Sequence, residues 1–532
     1  MPDDIEASPN VRALFARYGP VFRWAVTFTA MLGAFATLLT GTIIVVAIPD
    51  VMGALGMTAE HAQWLSTGFL AATTVTMLLA AWCVETIGMS RTFNLSMLVF
   101  LGGSLLGGVA ATGEILIIAR FIQGAGAGLM TPISMLIVFQ VFPVHRRGTA
   151  MGLFAIGVVL APALGPVLGG LLIDQLSWRY VFFIAIPFAM VSIPLAMVFL
   201  PQREPTARTP GFDWTGVVLL SVFLVSLLVA LSDGPRDGFG DDRIALLLLI
   251  AAITGVAFMG WESRVKDPIF KLALFGHGRF LAAAIVTFVI GAGLFGSTYF
   301  LPLFLQTVQG LKPTDAGLLL LPAGLIMAVF FPLAGYLSDM MSPRRLILFG
   351  IVLFAISSLL MIKVDTQTPF LNLALWTLLG RIGLSFIFPC LNAAAMRPLP
   401  LELLAHGSGM VNFLRQLGGA FGVNLLTIHF SQRATFHADS LNVTQTPGNA
   451  STRDLIEYLM QMFRRIEGTA GQECELAMHF LDQMVWEQAS MLAYRDVFLA
   501  VSVVFVLCLI PAWFMDSRAP HTLRPPARAP AR

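Results

Sequence analysis

Charged residues inside or at the ends of long apolar segments are the first candidates for chemistry in this chain. Arg120 lies within one such segment, with Gln123 on the same helical face, and Arg381 lies within another. A charge placed inside a membrane-spanning segment usually faces a cavity or a polar partner and marks a transport or proton pathway. Glu85 and Asp339 lie at the ends of two further segments. Charged residues at these positions are typical of proteins that move ions or charged groups across a membrane, or of ion pairs that hold helices together.

Small residues recur at every fourth position of the segment 149–173. They are Gly157, Ala161, Gly165 and Gly169. On a helix this spacing places them on one face, where two backbones can approach closely in lipid. Pro162 and Pro166 lie in the same segment and each removes a backbone donor, so we expect a bend. The pattern predicts either a pivot helix or an ordinary closely packed spanning helix.

The composition places these segments in a membrane. Of 532 residues, 57% are hydrophobic and only 12% are charged, whereas soluble domains carry about 25% charged residues. The net charge of +2 indicates no nucleic-acid partner. The sequence contains no evident nucleophile, metal or phosphate-loop constellation, so we expect no enzyme activity, no metal site and no cofactor. The four cysteines show no disulfide or metal spacing.

Fourteen apolar segments approach the roughly 20 residues that span a bilayer. They centre on 24–48, 63–83, 93–112, 115–140, 149–173, 180–200, 213–232, 244–261, 280–305, 316–338, 345–362, 370–395, 407–430 and 492–515. An even number places both termini on one side of the membrane. Basic residues concentrate on that side, nineteen against five in the short loops opposite. The positive-inside rule therefore predicts that both termini are cytoplasmic.

An internal repeat divides the chain into halves. The stretch from Ala81 to Arg91 and the stretch from Gly335 to Arg345 share a small residue, an acid four positions later, and a basic turn. Repeated halves are typical of alternating-access carriers. The predicted units are a tail 1–23, a six-helix half 24–200, two inserted helices within 201–279, a six-helix half 280–515, and a tail 516–532.

These motifs resemble those of the major facilitator superfamily. The pattern formed by Gly152, Ala161, Gly165-Pro166 and Gly169-Gly170 is similar to its antiporter motif C, although Ala161 replaces a glycine. The resemblance implies an all-α major facilitator fold, with this fifth helix at the interface between the two halves. It also implies a role in limiting leakage and favouring export.

Two further motifs carry the resemblance. The repeated turns resemble motif A, which implies that Glu85 and Asp339 each pair with charges near the cytoplasmic ends of the helices and help to hold an outward-open state. Simple positive-inside anchoring is the alternative for the arginines of these turns. The segment around Arg120 is similar to motif B, whose arginine is associated with proton transfer. The alternative for Arg120 is a structural hydrogen bond to a carbonyl.

The first segment departs from the fourteen-spanner drug:proton antiporters of the EmrB/QacA group, which this chain otherwise resembles. Those proteins usually have Asp where this chain has Thr40, and Asn where it has Val45. A threonine hydroxyl cannot carry a proton at physiological pH. The departure leaves the coupling ion open. If protons are used, we expect Glu85 or Asp339 to contribute more than the first helix.

The segment 431–491 is predicted to be a long extracytoplasmic loop. Its second part has helical spacing at Leu455, Leu459, Met462, Phe463 and Ile466. Loops of this length are usually functional. The resemblance to EmrB-type pumps implies contact with a membrane-fusion adaptor and an outer-membrane channel.

The resemblance as a whole implies a multidrug exporter of the bacterial inner membrane. It would move small amphipathic compounds by alternating access within the lipid bilayer, coupled to protons. One alternative is a facilitator, or an exporter driven by another ion. The other is a membrane sensor or assembly subunit without transport.

Overall fold

The fold is entirely helical within the residues that the computed structural model describes, which are 9–202, 211–311, 313–446, 448–464 and 472–515. Long apolar segments form helices because a backbone in lipid must satisfy its polar groups internally. The predicted C-terminal tail, 516–532, lies outside the described residues, as do residues 1–8 of the N-terminal tail.

The helices follow the predicted segments closely. In chain order they are α1 (Pro9–Tyr18), α2 (Val21–Leu55), α3 (Ala59–Ile87), α4 (Met89–Gly108), α5 (Gly113–Val141), α6 (Arg147–Gln175), α7 (Tyr180–Phe183), α8 (Ile186–Phe199), α9 (Trp214–Asp237), α10 (Asp242–Glu262), α11 (Gly278–Thr307), α12 (Pro313–Met340), α13 (Pro343–Met361), α14 (Phe370–Met396), α15 (Leu404–Asn442), α16 (Ala450–Arg464) and α17 (Glu473–Trp513).

Twelve helical spans in the described residues are long and apolar enough to cross a membrane, with α7 and α8 forming one of them. The two remaining predicted segments, 93–112 and 407–430, are largely helical and fall on α4 and α15. The structure is therefore compatible with fourteen membrane helices.

Helices α2–α8 pack into one half and α11–α17 into the other. In the first half α3 and α4 lie against α5, and α6 against α2; in the second, α11 packs on α15 and α13 on α14. The halves meet mainly where α6 contacts α12 and α3 contacts α15. The inserted helices α9 and α10 pack on each other, and α9 also contacts α3 and α15. The site described below lies between the halves.

The predicted extracytoplasmic loop 431–491 is largely helical. Helix α15 continues through its polar stretch to Asn442, and α17 begins at Glu473. The extension of α15 is joined to α17 by Asp496, whose Oδ2 lies 2.5 Å from Arg433 Nε and 2.8 Å from His437 Nε2. At 1.5 Å per residue these helices are each roughly 60 Å long, twice the hydrocarbon thickness. They therefore project beyond the bilayer.

The helical spacing seen inside this segment is confirmed as α16, which ends at Arg464 and packs on α17. The last predicted position, Ile466, lies outside the described residues. Leu459 is buried, whereas Tyr458 and Met462 are exposed. The short helix therefore covers α17 with one face and presents another face to the surroundings.

Candidate functional site

Asp339 joins the two halves at the lower end of the bundle, which we define as the end at which α2 begins. Its Oδ1 accepts a hydrogen bond from Gly148 N (2.8 Å), and its Oδ2 accepts from Thr149 N (2.7 Å) and Thr149 Oγ1 (2.6 Å). These amides belong to the first turn of α6, where backbone donors lack helical partners and the helix dipole favours a negative charge. The last turn of α12 thus caps the first turn of α6.

Glu85 makes the corresponding contact on the opposite pair of helices. It lies in the last turn of α3, and its Oε1 lies 3.3 Å from Nδ1 of His406 in the first turn of α15. This is a close approach and not a hydrogen bond, because His406 Nδ1 has no hydrogen-bond partner among the described residues. The His406 side chain is buried, and that of Glu85 is one-third exposed. We call the Asp339–Thr149 and Glu85–His406 contacts the paired latches.

Close backbone approach accompanies each latch. A Cβ atom on Gly152 would lie 2.5 Å from the carbonyl oxygen of Phe331, and one on Gly409 would lie 2.8 Å from that of Met77. Real Cβ atoms do not approach so closely, so only glycine fits at both crossings without a shift. A Cβ on Gly335 would likewise collide with the carbonyl oxygen of Gly148.

The repeat register relates the two latches residue by residue. Phe331 and Asp339 follow Met77 and Glu85 by 254 positions, and His406 and Gly409 follow Thr149 and Gly152 by 257. The sequence repeat reveals the two acids but not their partners, because Thr149 and His406 share no chemistry that a pattern could detect. Those partners, together with Gly148, are the site residues that sequence reasoning missed.

A further hydrogen bond crosses between the halves deeper in the bundle. Ser408 Oγ on α15 donates to the carbonyl oxygen of Pro132 on α5 at 2.7 Å, and the pair is buried. A proline leaves the carbonyl four residues earlier without its donor, but its own carbonyl can still accept an external bond. The lower ends of the halves are therefore held together by several independent contacts.

Arg120 is fully buried inside the first half. Its Nε donates to Leu65 O (2.7 Å), and its Nη1 donates to Gln123 Oε1 (2.7 Å) and Thr40 O (3.4 Å). The guanidinium also lies 4.1 Å from the centre of the Phe69 ring. Nη2 has no hydrogen-bond partner among the described residues. Arg120 thus ties α5 to α2 and α3 and retains one unused donor.

Gln123 and Thr40 extend this polar cluster. Gln123 Nε2 donates to Ser104 Oγ on α4 at 2.8 Å. The Thr40 hydroxyl donates to the carbonyl oxygen of Ala36 in its own helix at 3.0 Å. Thr40 therefore meets Arg120 through its backbone, and its side chain supplies no charge opposite the guanidinium.

Arg381 lies in the second half and lines a separate small pocket. Its Nη2 donates to Thr298 Oγ1 of α11 at 3.1 Å. Phe300, Phe354 and Phe498 also line this pocket. The structure therefore does not bring Arg381 together with Arg120, and each arginine makes its contacts within its own half.

The small residues of α6 contact two different helices, α12 and α2. Gly148 and Gly152 face α12 of the other half, as described above. A Cβ on Gly165 would collide with Thr42 Oγ1, and one on Gly169 would lie 2.9 Å from the Ile43 side chain, both on α2. The four-residue stripe thus packs within its own half, while the lower turns of α6 form the interface.

The remaining residues of that motif are less informative. Ala161 is fully buried, and a Cβ on Gly170 would have no described atom within 4 Å. The side chain of Pro166 lies outside the described part of the structure. Helix α6 is continuous from Arg147 to Gln175.

Comparison with known proteins identifies the family. The model of the Major Facilitator Superfamily matches residues 30–423. The "Uncharacterized MFS-type transporter YhcA" of Bacillus subtilis is 31% identical over 408 residues, 76% of each chain. The "Multidrug export protein EmrB" of Escherichia coli K12 is 27% identical over 492 residues, which cover 92% of this chain and 94% of the relative.

A third relative is the "Multidrug resistance protein B homolog" of Mycobacterium tuberculosis. It is 30% identical over 497 residues, covering 91% of this chain and 88% of the relative. Among solved structures, the human organic anion transporter MFSD10 matches with a TM-score of 0.59 at 14% identity, covering 91% of this chain and 99% of that one. At this identity the structural likeness establishes the fold alone. The chain belongs to the Major Facilitator Superfamily of membrane transporters, in its EmrB-type group.

Proposed function

We propose that this transporter exports small amphipathic compounds by alternating access, driven by a proton gradient. The main observation that supports this proposal is the pair of latches at the lower end of the bundle. Two symmetry-related contacts between the halves are what a rocking carrier needs to close one side while the other side opens. Their breakage and formation would then be the conformational step.

Membrane orientation gives the latches their place in this cycle. We place the lower end in the cytoplasm, because the basic residues concentrate near it. The latched arrangement then excludes the cytoplasm and corresponds to release of substrate outward. Export agrees with the description of the EmrB relatives as multidrug export proteins, which supports the proposal without identifying a substrate.

Proton coupling requires a group whose charge changes during the cycle. Thr40 cannot supply it, and a buried arginine holds its proton too tightly to serve as the carrier. We therefore assign the coupling to the latch acids Glu85 and Asp339. Protonation of Asp339 would remove the charge that the first turn of α6 stabilises and would weaken that latch.

The parts of α15, α16 and α17 that project beyond the membrane also favour binding of a partner protein. Exposed hydrophobic side chains lie on these elements and include Phe436, Tyr458, Met484 and Trp486. We propose that residues 431–491 contact a membrane-fusion adaptor, which would pass substrate to an outer-membrane channel where the source has an outer membrane. Large exposed apolar side chains beyond the bilayer favour such a protein interface.

The decisive experiment measures export in sealed inverted vesicles with an imposed pH gradient, using a panel of amphipathic compounds. Uphill transport that collapses with a protonophore supports the proposal. Transport that only equilibrates substrate would favour a facilitator. Transport of no compound, in vesicles that contain the folded protein, would favour a sensor or assembly subunit.

The coupling assignment has its own test in the same vesicles. The Glu85→Gln and Asp339→Asn double variant should bind substrate yet lose gradient-driven export. If uphill export continues unchanged in that variant, the coupling group lies elsewhere.

A further inference from the structure

The inserted helices hold two buried acids that transport by the paired latches does not use. Asp213 precedes α9 and is 7% exposed, and Glu262 ends α10 and is 3% exposed. Carboxylates are almost never fully buried unless they are paired. Their neighbours therefore need an explanation.

Each acid uses one carboxyl oxygen in ordinary hydrogen bonds. Asp213 Oδ1 accepts from Gly216 N at 2.9 Å, as an N-cap, and from Trp261 Nε1 at 2.8 Å. Glu262 Oε2 accepts from Phe270 N at 3.1 Å. These bonds fix both carboxyl groups in place and join α9, α10 and the segment that leads to α11.

The other two oxygens converge on one point. Neither Asp213 Oδ2 nor Glu262 Oε1 has a hydrogen-bond donor among the described residues, and both are buried. A Cβ added to Gly216 would lie 2.7 Å from Glu262 Oε1 and would also collide with Asp213 Oδ2. Two buried carboxylate oxygens that face the same point repel each other when both groups are charged, and a proton on one of them removes this repulsion.

We propose that Asp213 and Glu262 form a proton-binding site in which the two carboxyl groups share one proton. The shared proton supplies the missing donor to both orphan oxygens and leaves the pair with a single negative charge. Release of this proton places two negative charges in a buried space and pushes the end of α10 away from the start of α9. The ligand of this site is the proton itself, so the inference stands whether or not the transport proposal is correct.

Other ionisable groups lie near enough to influence the pair. A small pocket is lined by Asp213 together with charged or titratable residues from three other elements: Asp267 and Lys271 of the connecting segment, Glu85 of α3 and His406 of α15. Because these groups also titrate, the test compares variants at the pair and not the pH response of one protein alone.

Amide substitutions provide a structure-preserving test. In Asp213→Asn or Glu262→Gln, the new NH₂ group can donate to the opposite orphan oxygen, so neither variant needs the shared proton. Asparagine also remains a good N-cap at position 213. Asp241→Asn is the matched control, because Asp241 caps α10 in the same manner through Arg243 N and Ile244 N but is exposed.

The first measurement is infrared absorption of the purified protein at neutral pH in H₂O and D₂O. We expect a protonated carboxyl band in the wild type and in Asp241→Asn, and its loss in Asp213→Asn and in Glu262→Gln. The second measurement is the thermal unfolding midpoint as a function of pH. The native pair binds a proton that the unfolded carboxyls release, so wild-type stability should fall as pH rises from mildly acidic to mildly alkaline values.

Both amide variants should show a weaker fall in stability over this pH range, while Asp241→Asn follows the wild type. A carboxyl band of wild-type intensity in both amide variants overturns the proposal. An identical pH dependence in all four proteins overturns it as well.

Discussion

Thr149 donates two hydrogen bonds to one carboxylate oxygen of Asp339, from its amide at 2.7 Å and from its hydroxyl at 2.6 Å. The two residues are 190 positions apart and belong to different halves of the transporter. The Gly148 amide donates to the second oxygen, so both carboxylate oxygens are hydrogen-bonded. A side chain that caps a helix of the opposite half links the orientation of the two halves directly to its own charge.

The first prediction concerns this latch. Asp339→Asn replaces one acceptor oxygen with an NH₂ group, which cannot accept from the N–H donors of α6. We therefore expect the latched state to lose about 1–3 kcal/mol of stability relative to the open state, roughly a 5- to 150-fold decrease in its population. Ser338→Cys places a thiol at a fully buried position of the interface. Its labelling by a water-soluble maleimide should accelerate when Asp339→Asn is added. The exposed Asp242 of α10 provides a control as Asp242→Asn, which should leave the labelling rate unchanged; equal rates in all three proteins would contradict the latch.

The second prediction concerns the packing of α6. Gly165→Leu and Gly169→Leu should block transport without preventing membrane insertion, because a side chain at either position meets α2, and overpacking of this kind costs about 1–3 kcal/mol. Gly170→Leu is the matched control, because a Cβ there meets no described atom within 4 Å. The measurement is export per inserted molecule. Normal export by both test variants would show that close packing on α2 is dispensable for movement.

The third prediction concerns Arg120. Lysine keeps the charge but not the planar fork that reaches Leu65 O and Gln123 together, and alanine keeps neither. Export should fall in Arg120→Lys and disappear in Arg120→Ala. Arg243→Ala serves as the control, since Arg243 is exposed and lies 3.6 Å from its partner Asp233. Thermal unfolding measured beside export separates misfolding from lost transport, and wild-type export by Arg120→Ala would assign this arginine a structural role.

The fourth prediction restores the acid that related antiporters carry in the first membrane helix. Thr40 is buried and its carbonyl already contacts Arg120, whose Nη2 has no hydrogen-bond partner in the described part of the chain. Thr40→Asp should therefore be tolerated and should steepen the dependence of export on the pH gradient. Thr40→Asn is the neutral control and should not. Equal dependence in the two variants would indicate that the first helix takes no part in coupling here.

The fifth prediction concerns the projecting helices. Deletion of 440–470 removes α16 and the end of α15, with the exposed Tyr458 and Met462. We expect this variant to remain inserted and to lose co-purification of the adaptor. Tyr458→Ser provides a milder version that leaves the helices intact. Unchanged adaptor recovery from both variants would place the partner surface elsewhere.

The sequence alone determined the class and the repeat. Apolar length and charge distribution are local properties, so they predicted the membrane helices and their approximate ends without knowledge of the packing. The spacing of Glu85 and Asp339 revealed that the halves are related. Arg120 was recognisable because a charge inside an apolar segment is costly wherever it lies.

Only the tertiary structure decided which groups meet. Thr149 and His406 became latch partners because helices distant in the chain cross there, and no local pattern encodes such a crossing. The small-residue stripe of α6 was visible in the sequence, but periodicity cannot say whether a face packs on α2 or on α12. Asp213 and Glu262 lie near segment ends in the sequence, where acids are normally solvated. The fold buries both and directs one oxygen of each toward the same point, which makes the charge of each depend on the other.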